Sequence, residues 1–84
     1  MIIEYQASVF TQAGWRSVTI TAEAQAISAK MANVVRVVAI DGEEPKGYQS
    51  RTGARRQTYH AAGIAQREVG SRKRLSACKV LEEA

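Results

Sequence analysis

Between Arg51 and Arg74 the chain gathers Arg51, Arg55, Arg56, Arg67, Arg72, Lys73 and Arg74, with Tyr59 and its single histidine, His60, among them. The planar guanidinium fork fits phosphate or carboxylate better than the point charge of lysine, so an arginine-dominated run is suited to gripping oxyanions. One catalytic reading follows from the same residues. A histidine able to move a proton, set near arginines that hold a scissile phosphate, is the minimum for a small toxin-type ribonuclease. A lone histidine beside arginines arises readily in any basic segment, so binding is the leading expectation. His60 is kept as the one catalytic candidate.

Other constellations are thinner. Asp41, Glu43 and Glu44 surround Gly42 just before Pro45, which reads as a solvated acidic loop, and no metal is expected. One cysteine, Cys78, cannot form an internal disulfide, and with one histidine there is no zinc set; Cys78 reads as a small apolar side chain. Gly47, Gly53, Gly63 and Gly70 have neither the spacing nor the placement of a phosphate loop or dinucleotide fingerprint, so no cofactor is expected.

Charge divides the chain at Pro45. Before it, three bases (Arg16, Lys30, Arg36) stand against five acids, a net of −2; after it, nine bases stand against three acids, a net of +6. Such a division suggests a neutral-to-acidic scaffold, residues 1–45, carrying a basic working segment, residues 46–84, within one domain. The partner expected of it is nucleic acid or a nucleoprotein, with the arginines neutralising phosphates and Trp15, Tyr48 and Tyr59 available for stacking. An acidic face of a host protein is the alternative partner.

The scaffold must position these residues. Ile3, Tyr5, Ala7 and Val9 alternate with polar neighbours, as do Val18, Ile20 and Ala22, which predicts a hairpin turning near Gly14. Trp15 then lies on the polar face with Ser17 and Thr19. Thr21–Asn33 is dense in alanine and free of Gly and Pro, which predicts a helix with Ala24, Ile27 and Met31 as its buried stripe. The β-branched run Val34–Ile40 predicts a third strand covered on both faces, with Arg36 over the sheet or at an interaction surface. Tyr48 to Gly53 reads as loop and Ala54 to about Val69 as helix. Continued to Arg74, that helix would carry Arg56, His60, Arg67 and Arg74 as one basic stripe, although Gly63 and Gly70 interrupt it. For Arg74–Leu81 helix is preferred, with a strand closing the sheet as the alternative. The expected fold is a two-layer α+β domain: hairpin, helix, third strand, then a mostly helical basic segment.

The order Val18-Thr-Ile-Thr-Ala-Glu-Ala24, an alanine-rich helix, then Val34-Val-Arg-Val-Val-Ala-Ile-Asp-Gly42 resembles the layout of some very small phage-encoded proteins, among them certain anti-CRISPR inhibitors of multisubunit surveillance complexes. That resemblance covers about the first half of the chain. It implies a non-enzymatic inhibitor docking on a host nucleoprotein, and it carries over no functional residue.

At 84 residues the domain has a small core, and association into a homodimer would help to stabilise it. No apolar run approaches the roughly 20 residues that span a bilayer, and Met1-Ile-Ile-Glu-Tyr5 reads as the start of a strand rather than a signal peptide. A cytoplasmic protein without membrane contact is the expectation.

Overall fold

The computed structural model describes residues 1–11, 13–45 and 60–83. Within them the chain forms β1 (Ile2–Thr11), β2 (Gly14–Ala26), β3 (Met31–Ile40), α1 (Ala61–Glu68), β4 (Arg72–Arg74), a 3₁₀ turn (Leu75–Ala77) and β5 (Lys79–Glu82). The strands make one antiparallel sheet in the order β4-β3-β2-β1-β5.

The expected hairpin of β1 and β2 forms, with Tyr5 opposite Ile20 and Phe10 opposite Trp15. Gly14 takes a positive φ of 103°, and the Thr11 hydroxyl ties the turn by donating to the Gly14 carbonyl at 2.8 Å. At the far end of β3, Asp41 (φ 52°) and Gly42 (φ 82°) are both left-handed, and Ile40 and Glu43 exchange backbone hydrogen bonds across them. This is the two-residue turn that the Asp-Gly pair favours.

The sheet is curled. β4 and β5 lie on opposite edges, yet only Leu75–Cys78 separates them in sequence. In a flat sheet of five strands spaced at ~4.8 Å those edges would stand about 19 Å apart, farther than a compact four-residue 3₁₀ connection reaches. Irregularities in β3 supply the bend: between Thr21 and Ala22, and again between Glu23 and Ala24, β3 spends an extra residue against β2. Inside the curl lie Ile3, Tyr5, Val9, Val18, Ile20, Ala22, Ala24, Ala32, Val34, Val37 and Ile40, closed over by Ala61 and Ile64 of α1. Ala61, Ile64 and Glu68, at spacings of three and four, form the inward stripe of that helix.

Three expectations are corrected. The two-layer α+β fold with a mostly helical basic segment is replaced by a predominantly antiparallel sheet carrying one short helix. The predicted helix Thr21–Asn33 is strand through Ala26, a turn over residues 27–30, and strand again from Met31. Ala22 and Ala24 point inward and Thr21, Glu23 and Gln25 do not, so the period-two pattern of the hairpin simply continues. The intrinsic helix preference of alanine is worth a few tenths of a kcal/mol over most residues, about what sheet packing overrides. The stripe proposed for that helix is dispersed: Ala24 is buried while Ile27 is exposed in the turn. Third, β3 is not covered on both faces. Val35 is exposed because the two extra residues shift which positions face inward, giving Ala32, Val34, Val37 and Ile40 at spacings of two, three and three.

The C-terminal segment follows its strand alternative: Lys79–Glu82 closes the sheet beside β1. With α1 ending at Glu68 and Arg74 in β4, the helical stripe linking His60, Arg67 and Arg74 does not form; Arg56 lies outside the described residues. Among the described residues, no helix is long and apolar enough to cross a membrane.

Candidate nucleic-acid interface

The basic strand β4 is fixed at the end of α1 by backbone chemistry. Val69 leaves the helix in an extended conformation and Gly70 takes a φ of 87°. The Gly70 N–H donates to the Val34 carbonyl and the Val34 N–H to Ser71, at 2.8 and 2.9 Å. Ser71 turns back on the helix end, its hydroxyl and its N–H both donating to the Glu68 carbonyl, at 2.7 and 3.0 Å. Gly70–Ser71 is thus the expected helix stop, but the element after it is a strand. Arg72, Lys73 and Arg74 pair with Asn33, Ala32 and Met31 of β3. Side chains alternate along a strand, so Lys73 faces the interior of the curl, while Arg72 and Arg74 share the outer face.

On the inner side stands Glu68, a carboxylate only 6% exposed. It accepts a hydrogen bond from the Tyr5 hydroxyl at 2.6 Å, and salt bridges reach it from Lys73 Nζ at 3.3 Å and from the Arg67 guanidinium at 3.0 Å. The Lys73 ammonium also lies 4.5 Å from the centre of the Tyr5 ring, a cation–π contact across the curl from β4 to β1. Burial by itself pushes the Glu68 carboxyl up; the Tyr5 hydrogen bond and the Lys73 and Arg67 partners outweigh it and hold the group below the ordinary carboxylate range. Burial and the Glu68 hydrogen bond push the Tyr5 phenol well above its usual value. Two of the expected binding bases, Arg67 and Lys73, therefore serve the core.

On the outer side the arrangement differs. Arg72 and Arg74 are exposed, and among the described residues no carboxylate pairs with either. Lys30, in the turn between β2 and β3, joins them: its carbonyl accepts the Leu75 N–H at 2.8 Å, and its side chain lines a cleft of about 800 Å³ together with Arg74. A second hollow, of about 410 Å³, lies beside Arg72, Gln25, Asn33 and Gly70. Lys30 belongs to the acidic half of the sequence and was not among the expected bases. The signal for it is present: the alternation from Val18 to Ala26 places a turn at residues 27–30, which leads into β3, the strand on which the basic strand β4 pairs.

His60 and Arg67 line one hollow of about 260 Å³ with Phe10 and Ile64. His60 is the N-cap of α1, its Nδ1 accepting the Gly63 N–H at 2.8 Å. That bond uses one ring nitrogen as acceptor, and Arg67 pairs with Glu68; Arg55 and Arg56, the other arginines of the nuclease reading, lie outside the described residues. Gly63, which the sequence marks as an interruption, is the residue on which the imidazole rests: a Cβ there would collide with His60 Nδ1. Cys78 is half-buried, its thiol donating to the Arg74 carbonyl at 3.3 Å, and burial raises its pKa, which disfavours a reactive thiolate.

Trp15 is exposed on the outer face, as expected, and stacks edge-on against Phe10 with ring centres 5.3 Å apart. It does not join the basic site. Ten residues of β2 separate Trp15 from Gln25, whose partner Asn33 pairs with Arg72; at ~3.3 Å per residue that is about 33 Å. Between them the outer face is polar, with Gln6 donating to Thr19 and accepting from Ser17. Arg36 pairs with Glu23 at 3.3 Å on the exposed surface, and Asp41 accepts the Thr19 N–H and pairs with Arg16 at 3.5 Å. The candidates Arg51, Arg55, Arg56, Tyr48 and Tyr59 lie outside the described residues.

Compared with known protein families, with curated proteins and with solved structures, the chain matches none. The layout shared with small phage-encoded inhibitors contained an alanine-rich helix, and in this chain that segment is strand and turn.

Proposed function

We propose that the protein is a non-enzymatic binding protein that engages nucleic acid, alone or within a nucleoprotein, through the basic end of its sheet. The observation that carries this reading is the separation of the bases into two sets. Glu68 pairs with both Arg67 and Lys73, whereas Arg72 lines one concave hollow and Lys30 and Arg74 another, with no paired carboxylate among the described residues. Cations with no carboxylate partner are available to neutralise phosphates, which releases the counterions condensed on the nucleic acid. Arg51, Arg55 and Arg56, which lie outside the described residues, carry charge of the same sign.

Titrating labelled single-stranded and duplex DNA and RNA at low and moderate salt tests the reading. Binding should weaken as salt rises and should be lost when Lys30, Arg72 and Arg74 are changed together to glutamate, but should survive Arg67→Gln in folded protein.

A second reading rests on the other end of the molecule. Phe10 and Trp15, 68% and 71% exposed, form an edge-on aromatic pair of the kind that anchors protein interfaces. It supports an inhibitor that docks on a host protein or nucleoprotein. Loss of partner capture in Trp15→Ala, with nucleic-acid affinity unchanged, would favour it.

A further inference from the structure

The cleft between the β2–β3 turn and the 3₁₀ turn has more chemistry than a basic patch. Its volume of about 800 Å³ falls in the range that encloses one small ligand, roughly 300–1,000 Å³. Lys30 and Arg74 supply two cations, Ser28 and Ser76 two hydroxyls, and Met31 and Leu75 an apolar wall; none of its lining residues is acidic. Backbone bonds hold the opposed walls: the Leu75 N–H donates to Lys30 O at 2.8 Å, Arg74 pairs with Met31, and Met31 O accepts from the Ile27 and Ser28 N–H groups. Ser28 Oγ accepts the Lys30 N–H at 3.2 Å, so its own hydroxyl hydrogen remains to donate outward. The site is thus pre-organised by strand pairing and turn geometry.

We infer that this cleft is a nucleotide subsite for a single strand. The phosphate sits between the Lys30 ammonium and the Arg74 guanidinium, and the base lies against Met31 and Leu75, whose soft, apolar side chains suit an aromatic face. Arg72, two residues along the same strand face and so about 6.6 Å away, reaches the neighbouring phosphate. A duplex cannot use the apolar wall, because its bases are stacked inside the helix; an unpaired strand can turn one base out. This inference rests on the nucleic-acid reading above and adds to it a strand preference and a place for one base.

The test uses the whole chain and two probes. A labelled single-stranded oligonucleotide and a duplex of equal length are titrated at one salt concentration; a nucleoside 5′-monophosphate, the nucleoside alone and inorganic phosphate are titrated while the Met31 and Leu75 methyl resonances are followed. The single strand should bind about tenfold or more tighter than the duplex, a difference of ~1.4 kcal/mol. The nucleotide should move both methyl resonances, and Lys30→Glu with Arg74→Glu should abolish the movement in protein whose remaining spectrum is unchanged. Duplex binding that equals or exceeds single-strand binding overturns the inference, as does single-strand binding that leaves both methyls unmoved; either result leaves the polyanion reading standing. Absence of oligonucleotide binding at low salt overturns both. If the nucleotide moves the methyls while no oligonucleotide binds, the ligand is a free nucleotide, and the single-strand assignment fails.

Discussion

The Tyr5 hydroxyl donates to Glu68 Oε1 at 2.6 Å across 63 residues of sequence, joining the first strand to the end of the only helix among the described residues. Both groups are buried, and Lys73 from the basic strand meets each of them. A buried carboxylate is tolerated when its oxygens are filled with donors and opposite charge, and otherwise destabilises the fold. Tyr5, Glu68, Lys73 and Arg67 thus seat the end of α1 and β4 on the core, and the position of Arg72 and Arg74 follows.

Tyr5→Phe removes one donor from a charged acceptor that has little water to replace it. Unfolding in urea should show a loss of about 1.5–3 kcal/mol, the usual worth of a hydrogen bond to a charged group. A double-mutant cycle with Glu68→Gln should give a coupling well above zero. Additive losses would mean that the 2.6 Å contact carries no energy.

Stability should also depend on acid through Glu68. Its carboxyl is held below its ordinary value of 4.5 in the folded protein, so the folded state binds this proton less readily than the unfolded chain. The resulting stabilisation is fully present above pH 4.5 and is lost as pH falls through the depressed folded value. The difference in unfolding free energy between wild type and Glu68→Gln should therefore shrink below pH 4.5 and be flat above it. A difference constant with pH over the acid range would contradict the pairing.

Gly63 yields a sign reversal. Glycine to alanine inside a helix ordinarily stabilises by about 0.8–1 kcal/mol. Here the new Cβ displaces the His60 imidazole and removes an N-cap worth ~0.5–2 kcal/mol, so Gly63→Ala should be neutral or destabilising. In a His60→Ala background the cap is already gone, and the same change should stabilise. Thermal melts of the four proteins decide it; stabilisation in both backgrounds would remove His60 from its capping role.

How far the fold could be read from the sequence turns on one choice of period. The hairpin was legible because Ile3 to Val9 and Val18 to Ala22 alternate without exception, and its turn carries a glycine where φ must be positive. The same alternation runs on through Ala24 and Ala26, but the alanines also satisfy a helical pattern, and their intrinsic propensity favours the helix. In β3 the difficulty is different: extra residues in the strand change which positions face inward, and the run from Val34 to Ile40, apolar but for Arg36, conceals that shift. For the site, Arg72 and Arg74 were legible as bases. The division of labour was not, since the partners that occupy Lys73 and Arg67 come from Tyr5 and Glu68, and Lys30 reaches the site only through the turn that the helix reading erased.

Trp15 and Phe10 make a further check on the separation of the two ends. Trp15→Ala removes an exposed ring, so its cost should be confined to the aromatic pair, about 0.5–1.5 kcal/mol. Affinity for single-stranded nucleic acid should not change, because the ring lies about 33 Å along β2 from Arg72. A matching loss of nucleic-acid affinity would mean that the bound strand runs the length of the sheet.

The most direct measurement is the salt dependence of single-strand binding, compared between wild type and the triple variant Lys30→Glu, Arg72→Glu, Arg74→Glu. Each phosphate contact on a single strand contributes about 0.7 to the slope of log K against log salt, so losing three should flatten the slope by about 2 as affinity collapses. That outcome locates the interface on the outer face of β4 and the β2–β3 turn. A triple variant that folds and binds with the wild-type slope, or a wild type that binds no strand even at low salt, would contradict the account.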